Sequence, residues 1–99
     1  MTMPIDPTVR SLIAQFRKSP SWDDHLDLEL IQNFWPDLVG NQLAAVTRIT
    51  GLQGSTVVLN VPDLIWRKQL MRMKRQLLEK VNELWGGQRI TEIALTYEN

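Results

Sequence analysis

Pro62-Asp63-Leu64-Ile65-Trp66-Arg67-Lys68-Gln69-Leu70-Met71-Arg72-Met73-Lys74-Arg75-Gln76-Leu77-Leu78-Glu79-Lys80-Val81-Asn82-Glu83-Leu84-Trp85-Gly86-Gly87 is the longest periodic segment of the chain. Trp66, Leu70, Met73, Leu77, Val81 and Leu84 recur every three or four residues, so on a helix of 3.6 residues per turn they stack into one apolar stripe. Asp63 offers a side-chain acceptor to the first free N–H groups, and Gly86-Gly87 permits the left-handed backbone that closes a helix. The spacing predicts one helix over 63–85 that turns this stripe to the core. Lys68, Arg72, Arg75 and Glu79 fall on the opposite, solvent side. Arg67, Met71, Lys74, Leu78 and Trp85 lie between the two faces, where basic and apolar groups share one edge. Such an edge is either a partner surface or a rim over which Arg67 and Lys74 lay their methylene stems, and both readings stand.

The flanking chain reads as alternating helical and strand patterns. Residues 1–7, with Pro4 and Pro7, are expected to be a flexible lead, and 8–99 to form a single domain. Val9, Leu12, Ile13 and Phe16 have helical spacing, and Lys18-Ser19-Pro20 ends that helix. Residues 21–27 read as a polar connection around Trp22. A second helical pattern runs from Glu29 to about Thr47, with a kink or break expected between Pro36 and Gly40. Residues 48–61 read as two strands joined at Gln53-Gly54-Ser55, and 88–97 as a third. The fold class is α+β, in the order α-α-β-β-α-β, with a three-stranded sheet packed on helices. A helix between the second and third strands predicts that these run parallel.

Composition narrows the chemistry. The 99 residues contain no cysteine, which removes disulfides, thiolate metal sites and cysteine nucleophiles. Eleven basic and eleven acidic residues balance, yet Asp23, Asp24, Asp27, Glu29 and Asp37 crowd the first half while Arg67, Lys68, Arg72, Lys74 and Arg75 stand together without an acid between them. No apolar run approaches the roughly 20 residues that span a bilayer, and no secretion signal opens the chain, so a cytoplasmic protein without a membrane partner is expected. His25 is the only histidine, and with Asp23, Asp24 and Asp27 it falls short of a convincing metal-ligand set. Neither a nucleophile arrangement nor a phosphate-cradling glycine loop is present, so the expectation is no enzyme, no cofactor and no metal. The run from Arg67 to Arg75 is the candidate nucleic-acid site; its alternative is an ordinary solvated helix face. Trp35 and Trp66 belong to the core pattern, whereas Trp22 and Trp85, with Met71 and Leu78, are candidates for contacting a protein partner.

The string Phe34-Trp35-Pro36-Asp37-Leu38-Val39-Gly40-Asn41-Gln42-Leu43-Ala44-Ala45-Val46-Thr47 resembles the W-x-x-[LIV]-[VA]-G-x-x-[LI]-A segment of the bacterial DciA family. Gly54 before an apolar strand, Trp66-Arg67-Lys68-Gln69-Leu70 in the manner of the family's W-x-x-x-L helix start, and a last strand from Ile90 to Tyr97 agree with it. The resemblance covers about Ile31 to Tyr97 and implies a KH-like domain that engages the replicative DnaB-type helicase and promotes its loading on DNA. It also implies binding of single-stranded or junction DNA without sequence preference and without ATPase activity. The residues matching the family motifs, Trp35, Gly40, Trp66 and Leu70, are expected to be structural. Gly51-x-x-Gly54 falls in the hairpin, and Gly86-Gly87 lies at a helix end, so neither is the GXXG clamp of RNA-binding KH modules. The sequence carries no long basic tail, so on this resemblance the folded part has to supply both the helicase and the DNA surface. Two other readings stay open: a protein-interaction module without physiological DNA binding, and a small RNA-binding KH-like protein.

Overall fold

Aspartates open three of the helices. In the computed structural model, which describes residues 6–97, Asp6 accepts from Thr8 N at 2.7 Å, Asp23 from Leu26 N at 3.1 Å and Asp63 from Trp66 N at 2.9 Å. Each bond satisfies a backbone donor left free in a first helical turn, a contribution of about 1 kcal/mol. The helices are α1 (Pro7–Arg17), α2 (Asp24–Val39), α3 (Asn41–Val46), α4 (Leu64–Arg72) and α5 (Lys74–Glu83), and the strands are β1 (Arg48–Gln53), β2 (Thr56–Val61) and β3 (Glu92–Tyr97). Of the flexible lead expected over 1–7, residues 1–5 lie outside the described residues. Asp6 and Pro7 begin α1, since proline has no N–H to lose at a first helical position.

The fold is α+β, with a mixed sheet in the order β1-β2-β3. β1 and β2 are antiparallel, with a register shift between Ile49 and Gly51, and Gly54 takes φ 61 in the turn between them. β2 and β3 run parallel, in register from Thr56 opposite Glu92 to Val61 opposite Tyr97. The central strand alternates as expected: Val57, Leu59 and Val61 are buried, and Val58 and Asn60 are half-buried. Asn82 fixes the approach to β3, its side-chain amide both donating to Ile90 O and accepting from Ile90 N at 2.8 Å.

Two boundaries depart from those the sequence pattern suggests, whereas the break expected between Pro36 and Gly40 is present and falls at Gly40. The second helix starts at Asp24, five residues before Glu29, because Asp23 caps it. It runs through Pro36 and breaks at Gly40, whose φ of 93 and ψ of 156 suit glycine alone. Trp35 and Leu38 on either side of Pro36 are both buried, and that packing offsets the proline's cost of about 3 kcal/mol. The third strand begins at Glu92, four residues later than Gln88; just before it, Ile90 is held by the Asn82 side chain and Thr91 N by Ser55 O.

The largest correction concerns the long helix. Residues 63–85 are not one rod: the helix is interrupted at Met73 (φ −96, ψ 6), whose N–H bonds back to Leu70 O at 3.1 Å and whose C=O accepts from Leu77 N at 2.9 Å. No glycine or proline marks the position. The two halves answer to different neighbours, α4 lying over β2 and β3 while α5 packs on α2 as well as β3. Lys68 and Arg72, like charges four residues apart, add a small local penalty to a continuous helix. Met73, expected in the core stripe, is exposed at the break, whereas Leu70, Leu77, Val81 and Leu84 are buried.

Candidate functional site

α4 carries Arg67, Lys68 and Arg72 and no acid. Leu70 holds it to the sheet, Trp66 is half-buried, and the outward positions are Leu64, Ile65, Lys68, Gln69, Met71 and Arg72. Ile65 is 71% exposed beside these cations, so the outer face of α4 is at once basic and apolar. Among the described residues, no ion pair takes up Arg67, Lys68 or Arg72. The other two cations of the run differ. Lys74 binds Glu92 on β3 at 2.5 Å, and Arg75 reaches its own helix's Glu79 at 3.9 Å in full solvent. The structure thus gathers Arg67, Lys68 and Arg72 on one helix and sets Lys74 and Arg75 beyond the break.

Lys74 and Glu92 belong to the wall of a groove of about 330 Å³ between the α4–α5 junction and β3, lined also by Arg67, Met71, Ile93, Ala94 and Leu95. The hydrogen bond from Lys74 and a second from the backbone N–H of Ile93, at 2.9 Å, hold the Glu92 carboxyl below the usual glutamate range. A wider groove of about 670 Å³ runs between α5 and the loop before β3, with Arg10, Arg75, Leu78 and Asn82 on its walls. There the Arg10 Nε is buried without a hydrogen-bond partner among the described residues, and its stem lies 3.5 Å from where a Cβ on Gly86 would sit.

The strongest polar cluster lies elsewhere. Asp27, 2% exposed, accepts from Arg17 Nε (2.9 Å), Trp22 Nε1 (2.9 Å) and Trp85 Nε1 (3.1 Å) on Oδ1. Its Oδ2 accepts from Arg17 Nη2 (3.1 Å) and Arg89 Nε (3.0 Å). Burial alone pushes this carboxyl up, but the donors from Arg17, Trp22, Arg89 and Trp85 more than offset it and hold the group below the ordinary aspartate value. Arg89 also reaches Gly54 O and Asp24, so one arginine ties the hairpin turn to the start of α2. The Arg17 guanidinium stands 5.9 Å from the centre of the Trp85 ring.

This cluster places two of the proposed partner contacts. Trp22 and Trp85 are half-buried with their indole N–H groups turned to Asp27, Leu78 lines the wider groove half-buried, and Met71 is exposed on the outer edge of α4. Asp27 itself is not in a surface loop, as the polar run 21–27 suggests, but in the first turns of α2. The missed signal is its register: Asp27, Ile31, Trp35 and Leu38 form the buried stripe of α2, visible once the helix starts at Asp24. Trp35 is core, its Nε1 donating to Thr47 Oγ1 at 2.8 Å. His25 faces solvent and, among the described residues, pairs with Glu29 alone, at 3.4 Å.

The family model described as "Dna[CI] antecedent, DciA" matches residues 8–95, nearly the whole chain. No curated protein matches. No helix among the described residues is long and apolar enough to cross a membrane.

Proposed function

This chain belongs to the DciA family, whose role is in loading the DnaB-type helicase during replication, and on that premise we propose that it is a non-enzymatic adaptor. It binds the replicative helicase and holds nearby single-stranded or junction DNA while the ring is loaded. The observation that carries this reading is the outer face of α4, where Lys68 and Arg72 stand beside exposed Leu64, Ile65 and Met71, with half-buried Arg67 at its edge and, among the described residues, no ion pair to any of the three cations. Guanidinium forks and an ammonium group contact phosphates without reading sequence, and the apolar groups between them suit a protein surface. Lys74 and Arg75 extend the cationic path past the break, each against a local competitor, Glu92 or Glu79.

Two binding measurements test the reading together: capture of purified helicase in nuclease-treated buffer, and titration of single-stranded DNA at physiological salt. Binding in both supports the adaptor. Helicase capture with negligible DNA binding leaves a pure protein-interaction module, a reading that the interleaved Leu64, Ile65 and Met71 favour. Failure of both overturns the proposal.

A further inference from the structure

The sheet has two outer edges, and the fold treats them differently. On β1 the register shifts between Ile49 and Gly51, and the Gln32 side chain donates to Ile49 O at 3.0 Å, so that edge is bent and partly occupied. On β3, Glu92 N donates to Ser55 O toward β2. Successive strand N–H groups point in opposite directions, so those of Ile93 and Leu95 point away from the sheet. No strand pairs with that side among the described residues. What does occupy it is the Glu92 carboxylate, which accepts from Ile93 N while Lys74 grips it.

We infer that the open edge of β3 receives an extended acidic segment of a protein partner, which adds a fourth strand and displaces the Glu92 carboxylate from Ile93 N. The groove alongside has the chemistry for it. Met71, Ala94 and Leu95 line it together with Lys74, which already binds a carboxylate, and Arg67, which has no acid partner among the described residues. Outward N–H and C=O groups recur about every 6.6–6.8 Å along a strand, a ladder of donors and acceptors. A polypeptide strand matches both, whereas a phosphodiester backbone offers acceptors alone. This inference rests on the sheet edge and not on the helicase reading, and either can fail without the other.

The test is an NMR titration of the full ¹⁵N-labelled chain with an end-capped eight-residue peptide alternating glutamate and valine, taken to millimolar concentration. Saturable shifts at the Ile93 and Leu95 amides, lost when alternate peptide amides are N-methylated, are expected. Glu92→Ala, on the surface, tightens binding roughly two- to fivefold by removing the internal competitor, and Lys74→Ala weakens it by a similar factor. Absent shifts, equal binding of the N-methylated peptide, or unchanged affinity in Glu92→Ala overturns the inference. So does a thymidine octamer that moves the same amides when the peptide does not, which makes the groove a nucleic-acid site.

Discussion

Arg17 on α1 and Asp27 on α2 meet side-on, Nε to Oδ1 at 2.9 Å and Nη2 to Oδ2 at 3.1 Å, with the carboxylate shut away from solvent. α1 buries only Ile13 and leaves Leu12 and Phe16 exposed, so this pair is a main fastening of the first helix to the body. The same carboxylate holds Trp22, Trp85 and Arg89, which makes it the point where α1, α2 and the segment after α5 converge.

Removing it should therefore cost far more than removing a surface acid. Asp27→Ala leaves two guanidinium groups and two indole N–H groups facing a vacated site and is expected to lower stability by about 3–5 kcal/mol. Asp24→Ala, which breaks the exposed arm of the Arg89 pair, is expected to cost about 0–1 kcal/mol. Urea unfolding of the two variants beside the parent checks the contrast.

The sign of the pH dependence follows from the depressed value of the Asp27 carboxyl. Its contribution is fully present above the ordinary aspartate value of 3.8 and is lost as pH falls from there through the lower folded value. Asp27→Asn is expected to be less stable than the parent at pH 7 and to lose less stability on acidification. Denaturation midpoints collected from pH 7 down to about pH 2 show this as convergence of the two curves.

Charge reversal on the basic surface should separate binding from folding. Arg72→Glu with Arg75→Glu is expected to weaken single-stranded DNA binding and to flatten its salt dependence by roughly 0.7 in log–log slope for each phosphate that is no longer neutralised. Both side chains are exposed, so the unfolding midpoint should stay near that of the parent. Fluorescence anisotropy at several salt concentrations gives the slope, and an unchanged slope removes these two residues from the site.

Gly40 is the backbone position least tolerant of a side chain. With φ 93 and ψ 156, Gly40→Ala is expected to lose about 1–3 kcal/mol, whereas Gly87→Ala, whose added Cβ meets nothing within 4 Å, should change little. Thermal melts of both variants test whether the α2–α3 corner depends on that conformation.

Local pattern was enough for much of the architecture. The alternation of Val57, Leu59 and Val61, the helical spacing of Leu70, Leu77, Val81 and Leu84, and the order of elements that makes β2 and β3 parallel depend on periods of two or 3.6 residues, which a linear sequence carries in full. The cationic run of α4 was equally plain, because charge is a property of the residues themselves. Other features belong to the tertiary structure alone. Asp27 draws its donors from positions as distant as Trp85 and Arg89, and Glu92 meets Lys74 only because β3 returns beneath the helix break. The interruption at Met73 is of the same kind: no glycine or proline marks it, and it falls where the two halves pass to different packing neighbours. Periodicity records which side of an element is buried, but not what it is buried against.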